Sequence, residues 1–301
     1  MKTAATVATT SAGDTPRGFA FALTAYLLWG ILPLYLKALA HVPVVEVLAH
    51  RVVWSVPIAL AVLMAMGRTR DLRAAFASPR TLAMGGVTAA LVSVNWGVYV
   101  WSIQTGQALE AALGYYINPL FSIFLGAVLL GEKLSARQWA AVALAVAAVA
   151  VLTWETGRLP LVALALTLSW GFYAFFKRAL PVGPNQGFTL EVMLLTPFAL
   201  AYLAWLSGKD ALFIAQAAPG DVLLLIGCGV ITAVPLMIYA NGAKLLRLST
   251  IAIMQYLTPT MVFLIAVFVF GEPFGQARAV AFPMIWLALI LYSSEIVRLR
   301  R

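Results

Sequence analysis

Ten stretches of this sequence are apolar for about twenty residues each, with little between them but short connections. They fall at 18–37, 44–66, 82–103, 110–130, 136–153, 159–179, 188–206, 220–243, 249–270 and 277–296. A helix rises ~1.5 Å per residue, so ~20 apolar residues cross a hydrocarbon core of ~30 Å. In lipid every backbone donor and acceptor must be paired within the protein, which leaves only helices and closed barrels. No stretch here alternates with the period of a barrel strand. The expected fold is therefore an all-α integral membrane protein of ten transmembrane helices. Charged residues make up 10 % of the chain, whereas a water-exposed domain carries roughly 25 %.

The net charge of +9 is not gathered into a nucleic-acid surface but scattered through the short loops. With the N-terminus inside, fifteen of the twenty Lys and Arg lie on the cytoplasmic side and four outside, and Arg51 remains within a span. Positive loops stay in the cytoplasm, so both termini are expected there. Residues 1–16 lack the apolar core of a signal peptide and read as a mobile cytoplasmic tail, with the first span as an uncleaved anchor. The single cysteine, Cys228, lies within an apolar run and reads as a small buried residue.

Sliding the chain along itself by 140 residues aligns Pro57 with Pro197, Tyr99 with Tyr239, Tyr116 with Tyr256 and Pro119 with Pro259. The Gly131-Glu132 pair meets Gly271-Glu272, and one residue out of step Trp29-Gly30 meets Trp170-Gly171. Apolar letters align by chance in such a chain; Pro, Tyr and a Gly-Glu pair at one offset do not. The implied organisation is a tail, 1–16, and two five-helix repeats, 17–155 and 156–301. Five is odd, so the second copy enters the membrane from the opposite side. Inverted repeats of this kind recur in secondary transporters, with the substrate site near the midplane where the copies meet.

The run Ala25-Tyr26-Leu27-Leu28-Trp29-Gly30-Ile31-Leu32-Pro33-Leu34-Tyr35 and the later Leu48-Ala49-His50-Arg51-Val52-Val53-Trp54-Ser55 resemble RarD-type permeases. So does Leu113-Gly114-Tyr115-Tyr116-Ile117-Asn118-Pro119-Leu120, continuing to Gly131-Glu132. These proteins form part of the EamA group of the drug/metabolite transporter superfamily. The resemblance implies a ten-helix, two-repeat fold in the bacterial inner membrane and a transporter of small metabolites or drug-like solutes.

Charges inside spans cost free energy and need partners. Arg51 and Glu191 occupy equivalent positions of the two repeats but opposite leaflets. Glu110 is the expected partner of Arg51 at the outer face, and Lys244 or Arg247 that of Glu191 at the inner face, as alternately closing gates. Arg51 snorkelling to the headgroups is the bland alternative. Glu46 precedes His50 by four residues on one helical face, so the two can meet as a proton relay; equally, Glu46 suits the dipole of a first helical turn. A solute cavity is expected from Trp29, Asn95, Trp96, Tyr99, Tyr115, Tyr116, Asn118, Trp170, Tyr173, Tyr239, Asn241, Gln255 and Tyr256. Buried amides need hydrogen bonds, and Tyr and Trp offer an apolar face with one polar tip. Tyr35 and Trp101, near span ends, read as interfacial belt residues.

The Gly-Glu pairs read as turns after span ends, and Pro119 and Pro259 as distortions within spans four and nine. The alanine-rich fifth span reads as a packing surface, and span five or ten as the surface for a homo-oligomer. Phosphate-binding loops, zinc-binding HExxH helices, cysteine clusters and nucleophile elbows are all missing from the sequence, so neither enzyme chemistry nor a cofactor is expected. A channel, without saturation or counter-flow, and a scaffold that binds no solute are the rival classes.

Overall fold

The computed structural model describes residues 14–298 and contains no strand among them. Its helices are α1 (Pro16–Ala38), α2 (Val44–Ala65), α3 (Thr69–Phe76), α4 (Pro79–Gln104), α5 (Ala108–Leu130) and α6 (Ala136–Thr156). They continue as α7 (Leu161–Ala179), α8 (Pro184–Ser207), α9 (Pro219–Gly242), α10 (Leu248–Met254), α11 (Leu257–Leu264) and α12 (Gln276–Arg298). Nine candidate spans are long and apolar enough to cross a membrane among the described residues, with α10, α11 and the π turn at Ile265–Val269 sharing one of them. The remaining long helix, α7, ends in Lys177-Arg178 and packs between α4 and α5. Lys2, Arg300 and Arg301 of the topology count, and most of the tail, lie outside the described residues.

Local chemistry sets the ends of these helices. Thr15 accepts the Gly18 N–H at 3.0 Å with Pro16 at the first helical position, and Ser78 with Pro79 repeats the device at α4. Ser135 and Gln138 form a capping box on α6. Gly131, Gly157 and Gly271 follow helical segments at φ near +67°, which only glycine adopts without strain. The turn expected at each Gly-Glu pair is present. The end of the tail is tied down, because the Thr15 N–H donates to the Leu245 carbonyl and Asp14 accepts from the Arg247 N–H.

Glu272 does more than follow a turn. Its carboxylate, buried, accepts the Ala108 N–H at 2.6 Å and the Leu109 N–H at 2.9 Å, so it caps α5 from 163–164 residues away. Glu132, its counterpart at the 140-residue offset, is exposed and has no hydrogen-bond partner for its carboxylate among the described residues. The two prolines also differ. Helix α5 continues unbroken past Pro119, whereas the chain breaks at Gln255–Tyr256 and restarts with Pro259 in the first turn of α11. A proline N–H is not missed in a first turn, so the break relieves there what α5 absorbs internally.

Packing follows the small residues. Ala141, Ala145 and Ala148 of α6 sit in one core cluster with Ala277, Ala281 and Ala288 of α12. The alanine face of the fifth span is thus used within the chain. Tyr35 is not a free belt residue: its hydroxyl donates to the Leu224 carbonyl and ties α1 to α9. Trp101 is exposed. The short α3, which the apolar pattern passes over, buries Leu72 and Ala75 against α8.

Candidate functional site

Packing of α1, α2, α4, α5, α7, α9 and the α10–α11 break frames a cavity of about 190 Å³. One wall is Tyr26, Trp29 and Leu32 of α1 with Ile231, Leu236 and Tyr239 of α9. Tyr26, Trp29 and Tyr239 are packed ring on ring, with centroids 5.5–5.8 Å apart. The opposite wall carries Asn95, Trp96 and Tyr99 of α4, Tyr115 and Asn118 of α5, and Trp170 of α7. Gln255, Thr258 and Pro259 of the break close a third side.

Arg51 of α2 lines the same space and is 3 % exposed. Its Nε–H donates to Thr232 Oγ1 at 3.0 Å, and its guanidinium lies over the Trp96 ring, 5.0 Å from the centroid. Its Nη1 has no partner, nor does either amide atom of Asn118. Asn95 is satisfied: Nδ2 donates to Ser169 Oγ at 3.0 Å and to the Leu166 carbonyl, and Oδ1 accepts from Tyr115 Oη at 3.1 Å. The cavity therefore offers a buried cation, an unpaired amide and aromatic walls, with a rigid hydrogen-bonded network behind them.

Four residues expected in the cavity point elsewhere. Tyr116 shares a hydrogen bond with Thr260 at 2.7 Å and packs on Phe282 and Trp286. Tyr173 donates to Glu191 at 3.2 Å, Asn241 donates to the Met237 carbonyl, and Tyr256 buries its hydroxyl without a partner. Tyr26, Leu32, Ile231, Thr232, Leu236 and Thr258 were not singled out from the sequence. Tyr26 was within reach of that reading, since it precedes Trp29 by three residues and shares its helical face.

The expected gate pairs are not formed. Arg51 turns to Thr232 and Trp96 because α2 packs along α9, while Glu110 lies in a separate hollow of about 370 Å³ with Glu155, Arg158 and Arg278. Glu191 pairs with Lys177 at 2.6 Å, not with Lys244 or Arg247. Lys244 is exposed, and the Arg247 backbone is held by Asp14. Glu46 and His50 do meet, with Oε1 and Nε2 3.8 Å apart. Trp54 Nε1 donates to His50 Nδ1 at 3.2 Å, Glu46 Oε1 accepts the Ile214 N–H, and Glu46 Oε2 has no partner. No cluster of three metal-ligating side chains occurs among the described residues.

Residues 16–154 match the EamA-like transporter family. Over 291 residues the chain is 38 % identical to Protein RarD of Escherichia coli (strain K12), covering 96 % of this chain and 98 % of that one. The chain belongs to the RarD-type EamA permeases. An uncharacterized transporter of Vibrio cholerae is 41 % identical over 283 residues, covering 94 % of this chain and 93 % of its own. The chloramphenicol-sensitive protein RarD of Pseudomonas aeruginosa is 35 % identical over 289 residues, covering 95 % and 96 %. A solved crystal structure with 22 % identity superposes with a TM-score of 0.59 over 94 % of this chain and 99 % of that one, which supports the fold. As a RarD-type EamA permease with many apolar helices, the protein is a multi-pass transporter of the inner membrane.

Proposed function

We propose that this permease is a ten-span secondary transporter that moves a small metabolite or drug-like solute by alternating access, through the cavity between inverted halves 17–155 and 156–301. Within this reading α7 is the sixth of the ten spans, both termini are cytoplasmic, and residues 1–16 are the N-terminal tail.

The observation that carries the proposal is the exchange of packing partners around one polar cavity. Matching α1, α2, α4, α5 and α6 with α7, α8, α9, α10–α11 and α12, helix α5 packs on α7 as α11 packs on α1. Likewise α4 meets α7 as α9 meets α1, and α2 meets α9 as α8 meets α4. The pairs α2·α8 and α6·α12 map onto themselves. Such a pattern is what a two-fold axis relating the two halves requires, and five spans in each half put that axis in the membrane plane within this reading; the cavity draws on helices from both halves. The two Gly-Glu pairs support alternation. Glu272 is docked on α5 while Glu132 makes no such contact, so the two halves differ at equivalent positions, as alternation between two states would need. The Glu46–His50 pair, with an unpaired carboxylate oxygen, is the proton-coupling candidate.

Two experiments test this reading. Single cysteines at Lys133 and Arg278, in a Cys228→Ser background, should react with an impermeant maleimide from opposite sides; labelling from one common side sinks the inverted arrangement. Purified protein in proteoliposomes, screened with amino acids, other metabolites and amphenicols, should show saturable uptake and counter-flow. Flux that neither saturates nor exchanges points to a channel, and no binding at all to a scaffold.

A further inference from the structure

We propose that the cavity takes amphipathic monoanions: a carboxylate against the Arg51 guanidinium, a single-ring apolar body beside it, and no cationic group. This rests on the cavity being the transport site, and it adds the chemistry of the cargo.

Arg51 is the only charged residue among those lining the cavity, and no acid lines it. Nor does Arg51 take part in any ion pair among the described residues. A guanidinium buried inside a span without a counter-charge is expensive, and such residues normally mark a substrate path. Thr232 holds one edge of the group and Trp96 its face, which fixes its orientation and leaves Nη1–H unspent. A carboxylate supplies both the missing charge and an acceptor for that N–H. An ammonium or a zwitterion would bring a second cation beside Arg51 with nothing in the wall to offset it. A dianion would bring one charge more than Arg51 can offset, since no second cation lines the cavity.

The other unspent group is the Asn118 amide, whose donor and acceptor are both free while the residue is buried. A hydroxyl satisfies both, accepting from Nδ2 and donating to Oδ1. At about 190 Å³ the cavity lies below the ~300–1,000 Å³ of drug-sized pockets, which favours a small body such as a single ring. The aromatic wall of Tyr26, Trp29 and Tyr239 suits such a ring.

The test is a matched series on the full chain in nanodiscs: 4-hydroxyphenylacetate, its methyl ester, tyramine and tyrosine, which share ring and hydroxyl and differ in charge. The acid should bind on the order of tenfold to a hundredfold more tightly than the ester, as a charged hydrogen bond dictates, with tyramine and tyrosine weaker still. Arg51→Gln should erase the preference of acid over ester. Asn118→Leu should instead keep that preference and abolish the advantage of 4-hydroxyphenylacetate over phenylacetate. Tyrosine or the ester binding as well as the acid overturns the proposal, as does failure of all four to bind or a preference that survives Arg51→Gln. Flux in proteoliposomes, corrected for protein-free liposomes, separates the two claims. Selective binding of the acid without saturable flux defeats the transport reading and keeps the anion site. Saturable flux of tyrosine or the ester without preference for the acid does the reverse.

Discussion

Removing the Glu272 carboxylate should unlatch α5, while removing Glu132 should do almost nothing, although the two residues stand in the same motif. Glu272 accepts two backbone N–H groups of the first turn of α5, at 2.6 and 2.9 Å, from a buried position. The first N–H groups of a helix have no partner of their own, and the positive end of the helix dipole adds to the attraction for an anion. Losing a cap costs ~0.5–2 kcal/mol, and each donor left buried without an acceptor costs ~1–3 kcal/mol. Water reaching a helix end refunds part of this, so Glu272→Ala should cost about 2 kcal/mol. Glu132 is exposed and bonds to nothing among the described residues, so Glu132→Ala should stay within ~0.5 kcal/mol. The assay is thermal unfolding of the purified protein in detergent, with uptake in proteoliposomes alongside. Because α5 carries Tyr115 and Asn118 into the cavity, Glu272→Ala should also weaken solute binding. Equal effects of the two substitutions, or a Glu272→Ala shift no larger than that of Glu132→Ala, would refute the reasoning.

Other sites give sharp outcomes as well. A Cβ on Gly229 would strike the backbone of Trp54 where α9 crosses α2, so Gly229→Ala should cost about 1–3 kcal/mol by thermal unfolding, against almost nothing for Gly86→Ala, which faces open space. Lys177→Met strands the buried Glu191 carboxylate and should cost about 3–5 kcal/mol, most of it recovered in Lys177→Met with Glu191→Gln, as urea or SDS titration would report. Thr232→Val removes the acceptor that orients Arg51 and leaves a buried charged N–H unpaired, so it should raise the Kd of a bound anion several-fold, by titration, and cost about 1–3 kcal/mol in thermal unfolding.

The long apolar helices, nine of them candidate spans among the described residues, were legible because lipid leaves the backbone few alternatives and twenty apolar letters are hard to miss. What the letters did not carry was which way each face turns. Tyr115 and Tyr116 are neighbours of identical chemistry, yet successive residues point about 100° apart around a helix of 3.6 residues per turn. Tyr115 meets Asn95 and the cavity, whereas Tyr116 meets Thr260 and the rings of α12. The partner of Glu191 was hidden for a different reason, a short connection. Lys244 and Arg247 stand far off in the sequence, whereas α7 and α8 are joined by only a few residues, and that hairpin sets Lys177 beside Glu191. Arg51 shows the opposite case. Its distance from the helix end suggested a gate at the face, and only the close crossing of α2 with α9, made possible by Gly229, turns it inward onto Thr232. The same glycine that fixes how tightly two helices approach therefore also sets where Arg51 comes to lie, which ties stability at the crossing to the geometry of the cavity.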